Sequence, residues 1–536
     1  MTGETRRITA RDLKAQLHDG GEIAVLDARE EGVFFHRHLL LASCVPLSRL
    51  ELLASDLVPR RTARIVWCDD GDGSASAAAA RLRGFGYSDV SVLDGGLAAW
   101  EEAGYRLYSG VHVPSKAFAE VVEDEAKTPH ISAAELQQMI AGGADIAIFD
   151  SRSFEEYHNN SIPGAISVPG AELVYRFSDL APSPDTTVIV NCGGRTRSII
   201  GAQSLISAGF PNRIMSLKDG TMAWHLAGFD VVSGAARRPP EVSARGLAAA
   251  QQAAARVAAR CGIERIDPAT LARWQGEADR RNLYVLDVRT SEEYAAGHLA
   301  IARSAPGGQL VQETDAHIAV WGGRIVLVDD NGVRATMTAS WLKQMGCGEV
   351  AVLAAQPRDA QWGEWASGPY QPQILGLDAL AAEMIEPAAL RQALAAGEAV
   401  LIDLADSRTY GGGHIPGAWF AIRARLAAAL GAMPKAATIV LTSPDGVLAR
   451  LAAGDLAGGG EAHARVLAGG TTAWIAAGLP LETGPTRMAS EPDDVVLSAR
   501  ERGQDREAAM REYLAWEINL VNDMASDDDQ RFRVAA

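Results

Sequence analysis

One cysteine of this chain lies where a reactive thiol is expected, at the junction between a strand pattern and a helix pattern. The segment 187–199 reads TVIVNCGGRTRSI, in which the apolar run 188–190 leads to Cys192 and two glycines. Arg195 and Arg197 follow, and apolar residues then recur at helical spacing. The pattern predicts a strand, a tight loop and a helix, with the thiol at the start of the loop.

Such a loop can hold an anion. Backbone N–H groups of a tight loop converge on one point, and the N-terminus of the following helix adds partial positive charge. A thiol in that field is expected to have a lowered pKa and to be a thiolate nucleophile at neutral pH. The alternative interpretation is a buried structural cysteine at the end of a strand. The loop residues predicted to bind the anionic substrate are Gly193, Gly194, Arg195, Thr196 and Ser198, and Cys192 and Arg197 are the predicted catalytic residues.

Composition narrows the class of protein. With 536 residues, 48% of them hydrophobic, the chain is long enough for several domains with buried cores. Its net charge of −17 argues against a general nucleic-acid or membrane-surface binder. The five cysteines are scattered, with no Cys-x-x-Cys pair and no Cys/His cluster, so neither disulfides nor a metal site are expected. No signal peptide or membrane span is expected, and a reducing, cytoplasmic setting is predicted.

The chain repeats one pattern four times, and each copy has the length of a domain. Each copy has a strand ending in aspartate, an aromatic residue usually followed four positions later by histidine, a second apolar strand, and a closing tryptophan. The aspartates are Asp27, Asp150, Asp287 and Asp403, and the tryptophans are Trp100, Trp224, Trp362 and Trp474. Apolar strands that alternate with helical patterns predict an α/β fold with parallel strands and helices on both faces.

The four copies set the predicted domain boundaries. We expect repeat 1 over residues 1–112, repeat 2 over 128–236, repeat 3 over 263–372 and repeat 4 over 373–485. The alanine-rich segment 243–260 predicts a helix within a connector at 237–262. Residues 486–536 are expected to form a C-terminal helix, docked on a domain or on a second subunit, and a frayed tail. The helix carries a mostly apolar stripe of Met510, Tyr513, Leu514, Glu517, Leu520, Val521 and Met524.

Together these elements resemble the rhodanese family. The resemblance rests on the Asp-x-Arg strand end, the aromatic-x-x-x-His-Ile-Pro-Gly-Ala segment, the cysteine loop and the Gly-Gly-x-x-x-Trp turn, and it spans nearly the whole chain. It implies four tandem rhodanese-like domains, each with a mostly five-stranded parallel sheet. It also implies a sulfurtransferase without a cofactor, which moves sulfur through a cysteine persulfide from a small anionic donor such as thiosulfate to cyanide or a thiol.

Only repeat 2 carries the full set of residues for this chemistry. The alignment places Cys68, Cys192, Asp329 and Ser443 first in the four loops. In repeat 1, Gly73 stands where the arginine belongs and three aspartates crowd the loop. This favours a structural role for Cys68 over that of a resolving thiol. Asp329 and Ser443 cannot form a persulfide, so repeats 3 and 4 are predicted to be inactive scaffold or partner-binding surfaces.

Four side chains around Cys192 have predicted roles. Arg197 is expected to act with the thiol by bracing the loop carbonyls and adding positive charge. Arg195 indicates anion recognition or a partner contact. Arg152 matches a position that anchors donor anions in tandem rhodaneses, and a salt bridge to the acidic pair 155–156 is the alternative. Asp150 is expected to fix the geometry of the loop.

Several alternatives stay open. The donor can be 3-mercaptopyruvate instead of thiosulfate, or the chain can be chiefly a binding scaffold, since three of its four loops lack the full set. A related fold carries phosphatases with five residues between cysteine and arginine, whereas four separate Cys192 from Arg197. The shorter loop suits a single sulfur atom better than a phosphate. A homodimer through the C-terminal helix is also left open.

Overall fold

Four α/β units follow one another along the chain, one for each sequence repeat. The structure is a computed structural model that describes residues 5–354, 364–434, 438–459 and 463–535. In each unit the parallel strands lie in the same order, with the first strand at one edge, followed by the last. The predicted α/β fold with mostly five-stranded parallel sheets is confirmed.

Repeat 1 defines the pattern. Its strands are β1 (Arg6–Ile8), β2 (Ile23–Asp27), β3 (Ala42–Cys44), β4 (Ile65–Cys68) and β5 (Val90–Leu93). Its helices are α1 (Ala10–Leu17), α2 (Glu31–Phe34), α3 (Leu50–Leu57), α4 (Ser74–Gly84) and α5 (Gly96–Glu102). The strands pair in parallel in the order β1-β5-β4-β2-β3. A longer helix, α6 (Val113–Ala126), leads to repeat 2.

Repeat 2 has the same order of elements. Its strands are β6 (His130–Ile131), β7 (Ile146–Asp150), β8 (Ile166–Ser167), β9 (Thr187–Asn191) and β10 (Ile214–Leu217). Its helices are α7 (Ala133–Ala141), α8 (Phe154–Asn159), α9 (Glu172–Leu180), α10 (Thr196–Ser207) and α11 (Gly220–Leu226). Alternate residues of β9 enter two cores, since Val188 and Val190 pack in one cluster and Ile189 in another. Both faces of the sheet are therefore covered, as a parallel sheet requires.

Repeat 3 follows the alanine-rich connector helix α12 (Ala244–Cys261). One of its strands pairs with the sheet of repeat 1. Its strands are β11 (Glu264–Ile266), β12 (Leu283–Asp287), β13 (His298–Leu299), β14 (Arg303–Ser304), β15 (Val320–Trp321), β16 (Gly323–Val328), β17 (Gly348–Leu353) and β18 (Trp365–Ala366). Its helices are α13 (Pro268–Gly276), α14 (Ser291–Ala296), α15 (Gly307–Gln312), α16 (Thr314–His317) and α17 (Val333–Gln344). β15 pairs antiparallel with β2, so the sheet of repeat 1 gains a sixth strand and the two repeats share a core.

Repeat 4 and a long helix complete the chain. The strands of repeat 4 are β19 (Glu383–Ile385), β20 (Ala399–Asp403), β21 (Trp419–Phe420), β22 (Thr438–Thr442) and β23 (Ala464–Leu467). Its helices are α18 (Pro387–Ala395), α19 (Ser407–Gly412), α20 (Leu426–Leu430), α21 (Val447–Gly459) and α22 (Gly470–Ala476), followed by α23 (Arg506–Ala525). Within the described ranges, short 3-10 helices occur at Leu377–Ala379, Arg423–Arg425 and Gly503–Asp505. No helix in the described parts of the chain has the length and apolar character needed to cross a membrane.

The repeated aromatic and tryptophan residues have structural roles. The histidine stacks on the aromatic ring four residues earlier, with centroids 3.9, 3.7 and 3.8 Å apart at His38, His298 and His414. Ser161 stands at that position in repeat 2 and carries no ring. The closing tryptophans donate their indole N–H to a carbonyl six residues later at Trp100, Trp224 and Trp474. The predicted equivalent, Trp362, lies outside the described residues.

The C-terminal stripe is buried within the chain itself. α23 packs along α6, and its buried residues are Ala509, Met510, Leu514, Glu517, Leu520 and Met524. Because the chain covers its own stripe, this face is not available for the dimer contact considered from the sequence. The tail is not frayed either, since the rings of Phe532 and Phe118 lie 5.3 Å apart and the N–H of Ala535 donates to Gln344.

Candidate active site

Strand register shows which residues of the four loops correspond. The aspartates that end β2, β7, β12 and β20 pair with Cys68, Asn191, Val328 and Thr442. Cys192, the residue after the strand, therefore corresponds to Asp69, Asp329 and Ser443. The sequence-based alignment of Cys68 with Cys192 is wrong by one residue, because it matched cysteine to cysteine instead of strand end to strand end.

Cys68 belongs to the core of repeat 1. It is the last residue of β4, its side chain is fully buried, and burial raises the pKa of its thiol well above the ordinary value. The loop begins at Asp69, and Ser74, not Gly73, takes the position of the arginine. The role of a resolving thiol does not fit a thiol buried in a strand, so the structural interpretation of Cys68 stands.

Cys192 lies at the base of the loop between β9 and α10. Its side chain is 2% exposed, and Sγ donates to the hydroxyl of Ser198 at 3.5 Å. Ser198 in turn donates to the carbonyl of Arg195 at 2.8 Å. The turn into α11 packs on the loop, because the N–H of Thr221 donates to the Cys192 carbonyl at 2.9 Å. A Cβ on Gly220, where φ is +55°, would lie 2.4 Å from that oxygen, so the contact requires glycine.

The loop offers hydrogen-bond donors without acceptors. In the described parts of the chain, the N–H groups of Gly193, Gly194 and Arg195 donate to no protein atom. The first turn of α10 begins at Thr196 and adds the positive end of a helix dipole. Unbonded N–H groups at a helix N-terminus form a site for an anion. The predicted strand, loop and helix are therefore present in the predicted order.

The predicted lowering of the Cys192 pKa is wrong for this structure. Burial raises the pKa of the thiol and outweighs the charge of Arg197 and the hydrogen bonds from Ser198, which lower it. The carboxylate of Glu517 raises it further. The sequence shows the cations of the loop but not the carboxylates and the cover that the tertiary structure adds.

Arg197 contacts a carboxylate and not the loop carbonyls. Its two terminal nitrogens bind Glu156 at 2.6 and 2.7 Å, and one also donates to Gln309 of repeat 3 at 2.9 Å. Burial opposes ionisation of Glu156, but the charges of Arg197 and Arg152 lower its pKa to about 2. The guanidinium lies close enough to Cys192 to lower its pKa, which agrees with the electrostatic part of its predicted role.

Arg195 anchors the loop instead of presenting a free charge. Its guanidinium is 5% exposed and binds Glu120 at 2.7 Å, Asp219 at 2.8 Å and also Glu123. Glu120 and Glu123 belong to α6, so the arginine ties the crest of the loop to the helix that precedes repeat 2. With three carboxylates around it, Arg195 is not the anion-recognising cation that the loop sequence indicated.

Asp150 and Arg152 form a buried pair below the loop. The guanidinium donates to the carboxylate at 2.8 and 2.7 Å and to the side chain of Asn160 at 3.1 Å. Asp150 also accepts from Asn191, the residue before Cys192, at 3.1 Å, which supports its predicted role in loop geometry. The partner of Arg152 is thus Asp150 and not the acidic pair 155–156. The same pairing occurs in repeats without the cysteine, at Asp27–Arg29 and Asp287–Arg289.

The C-terminal helix covers the loop, which sequence reasoning did not find. The hydroxyl of Thr196 donates to Glu517 at 2.7 Å, and Glu517 is buried, with its second oxygen bonded to none of the described residues. A Cβ on Gly194 would lie 3.1 Å from Glu517 and 3.3 Å from the ring of Tyr513. A glutamate within the apolar stripe of a helix was the signal that could have identified this contact.

Four parts of the chain line a cavity of about 690 Å³ beside Cys192. Repeat 2 contributes the loop and Asn160, and repeat 3 contributes Gln312 and Glu313. The C-terminal segment contributes Ser498, Arg500, Glu501, Tyr513 and Glu517, with Arg408 of repeat 4 beside them. The cavity can therefore admit a small molecule next to the thiol, in surroundings that one repeat alone does not supply.

Comparison with known proteins gives four matches to one family model. The model of the rhodanese-like domain matches residues 9–103, 132–227, 267–355 and 386–477. A crystal structure described as thiosulfate sulfurtransferase from Pseudomonas aeruginosa is 46% identical to this chain. It superposes with a TM-score of 0.95 and covers 99% of this chain and 100% of its own.

Curated relatives match single regions of the chain. A 3-mercaptopyruvate sulfurtransferase of Escherichia coli strain K12 is 31% identical over 180 residues, which are 30% of this chain and 63% of the relative. A helix-turn-helix-type transcriptional regulator of Mycobacterium tuberculosis is 33% identical over 105 residues, or 20% of this chain and 45% of the relative. The chain thus spans less than two thirds of the length of these two relatives.

Proposed function

The chain belongs to the rhodanese-like domain family, and from that premise we propose that it is a thiosulfate sulfurtransferase that carries sulfur as a persulfide on Cys192. The observation that carries the proposal is the Cys192 loop, where a thiol adjoins unbonded N–H groups at a helix N-terminus. Such a loop stabilises an anionic sulfur atom once it is attached to the cysteine. The 46% identity to the P. aeruginosa structure extends over nearly the whole chain and supports the same activity.

Sulfur loading is a nucleophilic displacement. The Cys192 thiolate attacks the outer sulfur of thiosulfate, a bond forms between the two sulfur atoms, and sulfite leaves with the electron pair of the broken S–S bond. The proton of the thiol leaves first to solvent in the cavity, because the hydroxyl of Ser198, 3.5 Å away, accepts its hydrogen bond but is not a base. The N–H groups of Gly193, Gly194 and Arg195 bind the terminal sulfur of the persulfide anion.

Discharge reverses the roles of the two sulfur atoms. An acceptor such as cyanide attacks the terminal sulfur, and the electron pair of the S–S bond returns to Cys192 as a thiolate. A cellular thiol is an acceptor of the same kind. A reducing, cytoplasmic compartment suits a reaction that needs a reduced thiol, and all five cysteines of the chain are unpaired.

Intact-mass spectrometry of the full-length protein tests the proposal. After incubation with thiosulfate we expect a gain of about 32 Da, one sulfur atom, which cyanide removes. The gain is expected to be absent in Cys192→Ala and present in Cys68→Ala, a matched variant that removes a thiol from the core of repeat 1.

Two other results would change the conclusion. Loading by 3-mercaptopyruvate but not by thiosulfate would assign the activity of the E. coli relative instead. No loading by either donor, or loading that persists in Cys192→Ala, would contradict the proposal, and the first of these would favour a binding scaffold.

A further inference from the structure

The C-terminal segment brings a cation into the cavity that the loop sequence does not contain. Arg500 precedes α23 and lines the cavity together with Cys192. Its guanidinium contacts the side-chain oxygen of Asn160 and the hydroxyl of Thr221. The same hydroxyl lies 3.3 Å from the carbonyl of Cys192, so Arg500 is connected to the loop through one side chain.

The other arginines of the cavity are already paired with carboxylates. Arg152 binds Asp150, Arg195 binds Glu120 and Asp219, and Arg197 binds Glu156. Arg408 binds Glu501 at 2.9 Å. Arg500 differs from them, because it forms no ion pair with any residue in the described ranges of the chain. Among these five guanidinium groups, it is the one whose charge remains available to a ligand.

The surroundings of Arg500 favour an anionic ligand. Burial and the nearby charge of Arg152 lower the pKa of Arg500 to about 10. The surroundings therefore disfavour the protonated, charged form of the guanidinium. An anion bound beside it would compensate both effects. Glu313 and Glu517 also line the cavity. Glu517 is bonded to Thr196 of the loop, whereas Arg500 is bonded to other residues, Asn160 and Thr221.

We propose that Arg500 binds the anionic group of the sulfur donor, which for thiosulfate is the sulfonate end. This inference rests on the proposed sulfurtransferase activity and adds a donor-binding residue from outside the four repeats. When Cys192 attacks the outer sulfur, the S–S bond breaks and its electron pair leaves on sulfite. Arg500 stabilises that charge in the departing anion, and the remaining N–H groups of its guanidinium provide the hydrogen bonds.

Direct binding separates this inference from turnover. In the Cys192→Ala background, thiosulfate is titrated calorimetrically into full-length protein with and without Arg500→Ala. Loss of a hydrogen-bonded charge is expected to weaken binding about 10- to 100-fold. In the protein with Cys192 intact, Arg500→Ala should raise KM for thiosulfate by a similar factor. The rate at which cyanide discharges a preformed persulfide should stay the same.

Two matched variants define a specific effect. Arg502→Ala removes an exposed arginine of the same segment, whose guanidinium contacts the carbonyl of Leu497, and should leave both measurements unchanged. Arg500→Lys keeps the charge and should recover part of the affinity. Equal thiosulfate affinity with and without Arg500, or no measurable binding in the Cys192→Ala background, would overturn the inference. A missing persulfide in the wild-type protein would instead count against the proposed function.

Discussion

The loops of repeats 2 and 3 have the same framework around different first residues. Each lies beside a strand that ends in a buried Asp-x-Arg pair, and each has an arginine at the sixth position that binds a glutamate of the helix after that pair, α8 or α14. Each loop also leads into a helix covered by the connector that precedes its repeat, α6 on α10 and α12 on α17. The framework therefore does not distinguish repeat 2 from repeat 3.

The first residue does distinguish them. In repeat 3 the carboxylate of Asp329 accepts N–H groups of its own loop, from Gly332 at 2.6 Å and Ala335 at 3.1 Å. Asp69 of repeat 1 likewise accepts N–H groups of its own loop, from Gly71 at 2.9 Å and Ala75 at 3.0 Å. The loop thus binds an anion wherever one is provided, because its N–H groups converge at a helix N-terminus. In repeat 2 the N–H groups of Gly194 and Arg195, at the positions of Gly71 and Gly332, bond to no atom of the described residues, so a sulfur anion can bind where the carboxylate binds elsewhere.

Cys192→Asp tests the equivalence of the first loop residues in repeats 2 and 3, and it should have the largest effect on activity. The variant should lose sulfurtransferase activity by about a thousandfold or more, since a carboxylate replaces the nucleophile. It should still fold, because Asp329 shows that the loop accepts a carboxylate. Thiocyanate formation and thermal unfolding measure the two effects. Cys192→Ala is the control, with equal loss of activity, and a Cys192→Asp protein that unfolds well below Cys192→Ala would contradict the equivalence.

Asp150→Ala and Asp287→Ala test whether the Asp-x-Arg pairs of repeats 2 and 3 contribute equally to the free energy of unfolding. Each leaves a buried arginine without its carboxylate, which should lower the free energy of unfolding by about 3–5 kcal/mol. Denaturant unfolding provides the measurement. Asp94→Ala removes an exposed partner of Arg7 and should cost less than about 1 kcal/mol. A large effect in one repeat and none in the other would show that the frameworks differ after all.

Glu517→Gln tests the contribution of the C-terminal helix, which contacts the loop of repeat 2. The carboxylate of Glu517 raises the pKa of the Cys192 thiol, so its removal should lower that pKa. The pH profile of Cys192 alkylation should then shift to lower pH, because the thiolate forms earlier as pH rises. Glu512→Gln, an exposed change on the same helix, should not move the profile. A shift to higher pH would mean that Glu517 does not oppose thiolate formation.

Asp329→Cys should have the smallest effect. It places a thiol at the corresponding position of repeat 3, but neither Arg500 nor Glu517 is located there, and Arg334 is bound by three carboxylates. The mass gain after thiosulfate should therefore remain about that of one sulfur atom. A gain of two sulfur atoms would show that the first residue of the loop is sufficient for loading.

Local pattern was enough to predict the repeats and the position of the thiol. Short apolar runs and period-3.6 hydrophobic patterns are set by neighbours in sequence, so the order of β9, loop and α10 was predicted correctly. The pairing of β15 of repeat 3 with the sheet of repeat 1 was not predictable. That strand has two residues and pairs with β2, about three hundred positions away in the chain.

The partners of charged residues were predicted poorly. Arg195 was predicted to recognise an anion or a partner, and Arg152 to anchor a donor or to pair with residues 155–156. Each instead binds a carboxylate that the sequence does not single out as its partner. The alignment at Cys68 failed for a related reason, since only pairing between strands shows where a strand ends. Arg500 lies about three hundred positions from Cys192, and nothing in its own segment indicates a site.

The sequence by itself determined four repeated α/β units and the one loop that presents a cysteine at a helix N-terminus. These follow from local periodicity and from the residue type at one position. Only the tertiary structure decided which cations remain unpaired, how deeply the thiol is buried and that the C-terminal segment encloses its cavity. Charge and burial depend on groups brought together from distant parts of the chain, so they appear only once the chain is folded.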